Sequence, residues 1–205
     1  MIEVSEHLNA VRRQVGSKLV EAGELNVVTV GRTFAGEVEE VWNACTTAER
    51  LERWFLPVTG DLRLGGRYQL EGNAGGTIER CEPPSMFAAT WEYGGTVSWI
   101  ELRLTPDPAG GTRFELDHLA HEDDHWKQYG PGAVGIGYEL ALMALATHLA
   151  GKPIENGAEF GATEEGLRLS RVSGEAWGEA AIAAGQPAEE ARAAAARTVA
   201  AYTGG

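Results

Sequence analysis

Three histidines and several carboxylates are concentrated between His118 and His125. Histidine and carboxylate side chains together can bind a divalent metal, so this stretch is the first candidate for chemistry. The possible ligands, however, run from the end of a predicted strand into a loop, and they alternate between the two faces of that strand. Short motifs of this kind often match by chance, and charges in a loop are usually solvated. We therefore predict no metal site, and nothing in the sequence indicates a cofactor.

His118 is a candidate for a single functional histidine. It shares one face of a predicted strand with Phe114 and Leu116, which should point towards the core. An imidazole has an ordinary pKa of about 6.5, so His118 could act as a general base or orient a bound molecule. The alternative is a core histidine that is satisfied by a neighbour, since the sequence shows no dyad or triad partner for it.

Glu139 is the second candidate for a catalytic residue, because it is an acid within a mostly apolar helical segment. If Glu139 faces the sheet, it needs a partner or a raised pKa, and it becomes a site candidate. If it faces the opening near the helix N-terminus, it is simply stabilised by the helix dipole. Both positions are compatible with the sequence.

Several aromatic side chains are expected to face the interior and to line a ligand pocket together with His118. These are Trp54, Tyr68, Trp91, Trp99 and Tyr138. Aromatic rings line apolar pockets and can add one hydrogen bond from the ring edge, but they also form ordinary core. Trp91 and Trp99 lie on the two strands of one predicted hairpin, so the register of that hairpin decides whether they meet.

These residues must be positioned by a sheet, because residues 24–121 contain short alternating runs separated by Gly-Gly pairs. The predicted strands are Leu25–Phe34, Asp61–Leu64, Tyr68–Glu71, Thr77–Cys81, Phe87–Tyr93, Val97–Thr105 and Thr112–Ala120. We predict hairpin turns at Gly65-Gly66, Gly75-Gly76 and Gly94-Gly95. Two short helices, Glu37–Cys45 and a turn that begins at Thr47, precede this antiparallel meander.

The segment Val134–Leu149 is apolar on more than one face, which predicts a largely buried helix. The predicted fold is therefore α+β, a curved antiparallel sheet wrapped around a long C-terminal helix. We divide the chain into an N-terminal arm (1–23), a sheet-and-helix domain (24–151) and a helical C-terminal extension (152–205). In the arm, Ser5 could cap a short helix that continues through Val15.

The extension is rich in alanine, and its two predicted helices, 173–184 and 187–202, have few large apolar side chains. Isolated helices of this length are marginal in water, so they should dock on another surface. Ser173 is the predicted cap of the first helix, and Trp177 is the predicted anchor. The surface is either the body of the same chain or a second copy, which makes a homodimer possible.

The composition excludes some functions. The 205 residues carry 30 acids against 17 bases, a net charge of −13, and a surface that binds nucleic acid would need clustered Lys and Arg. No run approaches about 18 uninterrupted apolar residues, so we predict no membrane span. No apolar leader follows Met1, and two cysteines cannot form a disulfide framework. We expect a cytoplasmic protein.

The order of strand, two short helices, meander and long helix is that of the helix-grip (START/Bet v 1-like) fold, and individual residues make the match closer. The sequence resembles the activator of heat-shock-protein-90 ATPase homologue-like family over roughly residues 25–150. The resemblance rests on Val41-Trp42, Thr46, Arg50, Trp54-Phe55, Pro57, Gly65-Gly66-Arg67-Tyr68, Gly76, Glu79, Pro83-Pro84, Phe87, Thr90-Trp91, Ser98, Leu104-Thr105, Gly111-Thr112, His118 and the helix Gly137–Leu149.

This family belongs to the START-like (SRPBCC) superfamily, whose members enclose a cavity for a small molecule or lipid between the sheet and the long helix. The resemblance therefore implies a protein that binds a hydrophobic small molecule. The alternatives are a cyclase- or hydrolase-like enzyme that uses His118 or Glu139 in the same cavity, and a co-chaperone-like interaction module. The family's eukaryotic co-chaperone has a further chaperone-binding domain, and this sequence shows no counterpart to it.

Overall fold

The fold is described from a computed structural model that covers residues 2–21, 23–154 and 157–205. The described residues form eight strands: β1 (Arg12–Val20), β2 (Gly23–Phe34), β3 (Val58–Gly60), β4 (Arg67–Leu70), β5 (Gly75–Glu82), β6 (Met86–Tyr93), β7 (Thr96–Pro106) and β8 (Thr112–Ala120). They also form eight helices: α1 (Val4–Ala10), α2 (Val38–Thr46), α3 (Ala48–Trp54), α4 (Asp124–Tyr129), α5 (Gly132–Leu149), α6 (Gly157–Gly161), α7 (Glu164–Ala183) and α8 (Ala188–Thr203).

All eight strands belong to one curved sheet in the order β1-β2-β8-β7-β6-β5-β4-β3, and each neighbouring pair is antiparallel. The long helix α5 packs against this sheet, and Ile136, Met143 and Leu145 on α5 are almost completely buried. A curved antiparallel sheet around a long helix is the predicted α+β helix-grip fold, and the prediction is confirmed.

Alternation of side chains explains the best-predicted part of the sheet. In β8, Phe114, Leu116 and His118 are buried on one face, whereas Arg113 is exposed on the other. The β6–β7 hairpin turns at Gly94 and Gly95, where φ is 59° and 83°. Such positive φ values suit a tight two-residue hairpin and favour glycine.

One predicted strand and one predicted turn were wrong, whereas Gly65 lies in the turn between β3 and β4 as predicted. The strand before β4 is Val58–Gly60, and Asp61–Leu64 is not a strand. The pair Gly75-Gly76 lies inside β5, because a Cβ atom at Gly76 would collide with the backbone carbonyl of Thr90 on β6. Glycine is needed at this position for close approach of two strands and not for a turn.

The N-terminal segment also differs from the prediction. Helix α1 ends at Ala10, Glu3 stands at its N-cap position, and Ser5 lies inside the helix. Val15 belongs to β1 and pairs with Val28 of β2, so a β-branched residue packs on the core as part of a strand. The first residues therefore add an edge strand to the sheet, while the proposed divisions at residues 23 and 151 stay predictions.

The C-terminal helices pack on the body of the same chain. Helix α7 begins after Thr163, whose hydroxyl accepts a hydrogen bond from the Gly166 amide, so Ser173 lies within the helix and does not cap it. Trp177 is fully buried, and a Cβ atom at Gly135 of α5 would collide with its indole ring. Trp177 is thus a buried anchor, and the predicted homodimer is not tested by these contacts.

Among the described residues, α5 is the one helix long and apolar enough, by length and composition, to cross a membrane. Its mean hydropathy is 1.3, and half of its residues are buried inside the protein. The position of α5 at the centre of the fold accounts for this composition.

Candidate functional site

An inner pocket of about 240 Å³ lies between the sheet and the helices α2 and α3. Its lining is aromatic and aliphatic: Trp42, Cys45, Thr46, Leu51, Phe55, Val58, Leu62, Tyr68, Leu70, Ile78, Cys81, Pro83, Phe87, Ala89, Trp91 and Ile100. Burial raises the pKa of the Cys45 thiol to about 12, so this cysteine is an unreactive wall residue. The helices that cover the inner pocket are the two short ones, whereas the sequence predicted a pocket under α5.

A second, outer pocket of about 440 Å³ lies where the ends of β6, β7 and β8 meet α4 and the start of α5. Its lining is mixed in polarity: Trp91, Tyr93, Thr96, Val97, Ser98, His118, Ala120, His121, Asp123, His125, Trp126, Gly130, Ala133 and Val134. Trp91 lines both pockets, so the two spaces adjoin at its side chain.

The ring of Tyr68 lines the inner pocket, and its hydroxyl is hydrogen-bonded within the protein. The hydroxyl donates to the carbonyl of Thr90 at 2.7 Å. Burial raises the pKa of Tyr68 to about 12, and the nearby carboxylate of Glu92 acts in the same direction. The phenol therefore stays neutral, and the tyrosine presents an apolar face to the pocket.

His118 lies on the inner face of β8 beside Tyr138 of α5. Its Nδ1 atom is 2.6 Å from the Tyr138 hydroxyl, and the side chain is almost completely buried. Burial lowers the pKa of His118 to about 4, so the imidazole is neutral near pH 7. Burial also raises the pKa of Tyr138, and the neighbouring Tyr68 and Tyr202 raise it further. The pair is a neutral hydrogen-bonded unit at the wall of the outer pocket.

The structure separates the predicted aromatic set. Trp91 pairs with Ser98 and Trp99 pairs with Thr90, so the two tryptophans point to opposite faces of the hairpin. Trp99 packs against His121 with ring centroids 6.0 Å apart and lines neither pocket. The prediction that Trp99 contacts a ligand is therefore corrected by the register.

Trp54 and Tyr138 also lie outside both linings. The Trp54 indole donates to the carbonyl of Ala44 at 2.9 Å, and it stacks on Phe55, which takes the predicted place of Trp54 in the inner pocket. Tyr138 lines neither pocket but is hydrogen-bonded to His118, which lines the outer pocket. Tyr68, Trp91 and His118 are the predicted ligand contacts that line a pocket.

Glu139 is fully buried, but it faces neither pocket. Its carboxylate accepts two hydrogen bonds from Arg13, at 2.7 and 2.6 Å, and one each from Ser173 and Trp177, both at 2.8 Å. Three of these bonds end on Oε1 and one ends on Oε2, so strand β1 and helix α7 together hold both oxygens of the carboxylate. We correct the prediction of Glu139 as a catalytic candidate, because it joins three elements and has no access to a substrate.

The histidine and carboxylate cluster is dispersed by the fold. Asp117 lies on the outer face of β8, where it accepts hydrogen bonds from Thr29 and Arg103. Asp123 caps α4 by accepting from the Trp126 amide, and His125 packs on the ring of Tyr129. In the part of the chain that the structure describes, no group of three or more such side chains could hold a metal ion.

Sequence reasoning missed several pocket residues. Phe87 and Ala89 share one face of β6 with Trp91 and line the inner pocket, and the alternation along that strand could have identified them. Trp42 and Phe55 depend on how α2 and α3 are placed over the sheet, which local spacing does not specify.

The fold and the two adjoining pockets define a helix-grip protein, and the comparisons with known proteins agree. The family model described as "Activator of Hsp90 ATPase homolog 1-like protein" matches residues 35–150, more than half of the chain. No curated protein matches the chain. Among solved structures, CalU16 from Micromonospora echinospora is 35% identical in its crystal structure, with a TM-score of 0.70, over 84% of this chain and 99% of CalU16.

The solution structure of CalU16 gives a TM-score of 0.73 at 36% identity, over 85% of this chain and 97% of CalU16. Protein MLL2253 from Mesorhizobium loti is 20% identical with a TM-score of 0.56, over 62% of this chain and 99% of MLL2253. The latter likeness concerns the fold alone. This chain belongs to the family of Activator of Hsp90 ATPase homolog 1-like proteins.

Proposed function

We propose that this protein binds a hydrophobic small molecule in the inner pocket, with the polar end of that molecule in the outer pocket. The observation that carries the proposal is the lining of the inner pocket, where none of the 16 residues has a charged side chain. A concave, mostly apolar pocket beside a few convergent polar groups is the usual form of a small-molecule site. The physiological ligand and the predicted cytoplasmic location stay open to test.

Trp91 and Trp99 provide a test residue and a matched control, because they lie on the same hairpin and face opposite sides of the sheet. The probe is 6-acetyl-2-dimethylaminonaphthalene, whose fluorescence depends on its surroundings, titrated with the full chain. We expect saturable binding that Trp91→Phe weakens severalfold. Trp99→Phe removes the same number of atoms from the outer face and should leave the dissociation constant unchanged.

Two outcomes would contradict this proposal. One is the absence of saturable binding by the unmodified protein. The other is an equal effect of Trp91→Phe and Trp99→Phe, which would show that the dye senses general stability or the surface. Thermal melting of both variants separates a lost contact from a lost fold.

An enzyme in the same pockets is the second candidate function, and the His118–Tyr138 pair is the observation that favours it. A general base works best when its pKa lies near the operating pH. Burial holds the pKa of His118 at about 4, which makes it a weak base near neutrality. Binding without acid–base chemistry therefore accounts better for the pair.

The interaction-module alternative has less support. Among the exposed large apolar side chains of the described residues, Leu19, Leu64 and Val172 lie on different parts of the chain, and the neighbouring Tyr93 and Val97 lie on one hairpin and line the outer pocket. Single exposed apolar residues are normal on a protein surface, whereas an interaction site requires a contiguous patch.

A further inference from the structure

The ring of His118 has one nitrogen engaged and one available. Nδ1 is bonded to Tyr138, while Nε2 has no hydrogen-bond partner among the described residues. The fully buried side-chain atoms without a partner in the described chain are His7 Nε2 and Arg32 Nε. His118 Nε2 also has no partner but is not one of these fully buried atoms, so it retains some accessible surface. The pocket that His118 lines is the outer pocket.

Tyr138 determines which nitrogen of His118 carries the proton. A phenol is a stronger acid than the N–H of a neutral imidazole, and an imidazole nitrogen is a better acceptor than a phenol oxygen. These acidities favour the arrangement in which the Tyr138 hydroxyl donates to Nδ1 across the 2.6 Å contact. A neutral imidazole has one N–H, so the proton resides on Nε2 and makes that atom a donor towards the pocket.

The rest of the outer pocket limits what this donor can bind. No Lys or Arg lines the pocket, and its lining includes Asp123 and the histidines His118, His121 and His125. The chain has a net charge of −13, which further disfavours an anionic ligand. The Ser98 hydroxyl donates to the carbonyl of Trp91 at 3.2 Å, so its proton is engaged. A carboxylate or phosphate would find no Lys or Arg here and would face Asp123, whereas a neutral oxygen acceptor could bind the Nε2–H of His118.

We propose that the outer pocket recognises the carbonyl oxygen of a neutral, largely apolar ligand, with His118 Nε2–H as the donor and Tyr138 as the positioning residue. This inference rests on the proposed binding function, since it names the chemical class of the ligand. It also assigns the two pockets different tasks. The inner pocket takes the apolar body of the ligand, and the outer pocket selects for the carbonyl group beyond Trp91.

A pair of dyes tests the inference: 6-acetyl-2-dimethylaminonaphthalene, which has a carbonyl, and its 6-ethyl analogue, which lacks one. The dissociation constants of both are measured for the full chain and for His118→Leu and Trp99→Phe. We expect the ratio of the two constants to change by about tenfold in His118→Leu, which corresponds to the loss of one hydrogen bond. Trp99→Phe should keep the unmodified ratio.

The ethyl dye also serves as an internal check of folding, because its affinity should be similar in His118→Leu and in the unmodified protein. If neither dye binds the unmodified protein, the proposed function itself fails. If both bind and the ratio is the same with and without His118, the binding function stands and this inference is overturned.

An infrared measurement keeps the inference testable if His118→Leu does not fold. The carbonyl stretching band of the bound acetyl dye should lie at lower frequency in the unmodified protein than in an apolar solvent. Tyr138→Phe removes the group that holds the proton on Nε2, so the band should move towards the apolar value or broaden. A bound band at the apolar frequency in the unmodified protein would overturn the inference.

Discussion

Arg13 and Glu139 form a bidentate ion pair across 126 residues of sequence, with Nε–Oε1 at 2.7 Å and Nη2–Oε2 at 2.6 Å. The Glu139 side chain is completely buried, and the Arg13 side chain is 13% exposed. Removal of one partner of a buried pair leaves an uncompensated charge and costs about 3–5 kcal/mol. The pair therefore makes the edge strand β1 part of the core.

The first prediction follows from that pair. Arg13→Met should lower the free energy of unfolding by about 3–5 kcal/mol in a urea titration, because the buried Glu139 loses the cation that pairs with it. The control variant Arg192→Met breaks the exposed ion pair with Glu179. It should change the free energy of unfolding by less than about 1 kcal/mol. Similar losses in both variants would show that the burial of Glu139 is not the cause.

The second prediction concerns acid. Burial, together with the nearby Arg32, lowers the pKa of His7 to about 3, and burial lowers that of His118 to about 4. Both folded-state values lie below the ordinary value of about 6.5, so the native state resists protonation. The stability associated with neutral histidines is present above about pH 6.5 and is lost as the pH falls towards 4. Together the two groups contribute up to about 2.7 kcal/mol per pH unit.

The measurement is the free energy of unfolding at several pH values between 7 and 4.5. His7→Phe should reduce the slope of this dependence, since one buried imidazole no longer has to be charged on unfolding. His125 is exposed and provides the control substitution, His125→Gln, which should keep the slope. A slope that is unaffected by His7→Phe would contradict the prediction.

The alternation of apolar and polar residues along β8 predicted correctly that His118 faces the core. One face of this strand is apolar and the other is charged, so its sequence alone shows which side chains point inwards. The same logic failed for Trp91 and Trp99. Both belong to aromatic-rich strands, and only the pairing of residue 91 with Ser98 shows that the two indoles diverge. The register across a hairpin depends on where its turn begins, and one position of uncertainty reverses every side chain.

Glu139 was beyond sequence reasoning for a different reason. Its partners Arg13, Ser173 and Trp177 come from the two ends of the chain, and no local pattern joins them. The Gly75-Gly76 pair was misleading because glycine serves both turns and close strand contacts, and composition does not distinguish these uses. The order of elements was predictable, since each helix and strand has its own periodicity.

The third prediction uses the contact between α5 and α7. Gly135→Ala would place a methyl group against the Trp177 indole, so α7 must shift or the indole must leave its site. Overpacking of this kind costs about 1–3 kcal/mol, and we expect a lower melting temperature. Gly16→Ala on β1 has open space around its Cβ position and should melt within a degree or two of the unmodified protein. Equal melting temperatures for the two variants would show that the site tolerates the methyl group.

The fourth prediction concerns the role of the C-terminal extension. Truncation after Lys152 removes the donors Ser173 and Trp177 from Glu139 and uncovers the apolar face of α5. We expect a substantially lower melting temperature and an unchanged number of chains per particle in light scattering. A halved particle mass would instead show that the extension holds a homodimer together, and an unchanged melting temperature would show that α7 does not stabilise the body.

The buried carboxylate also sets an order of events during synthesis. A ribosome releases Arg13 first and Glu139 much later, and the hydroxyl and indole donors of α7 emerge only after a further 34 and 38 residues. A nascent chain that already contains the whole sheet and α5 therefore still lacks two of the donors to the Glu139 carboxylate, Ser173 and Trp177. During synthesis the hydrogen-bond set of Glu139 is therefore completed only after helix α7 has emerged, although the linings of both pockets come entirely from earlier residues.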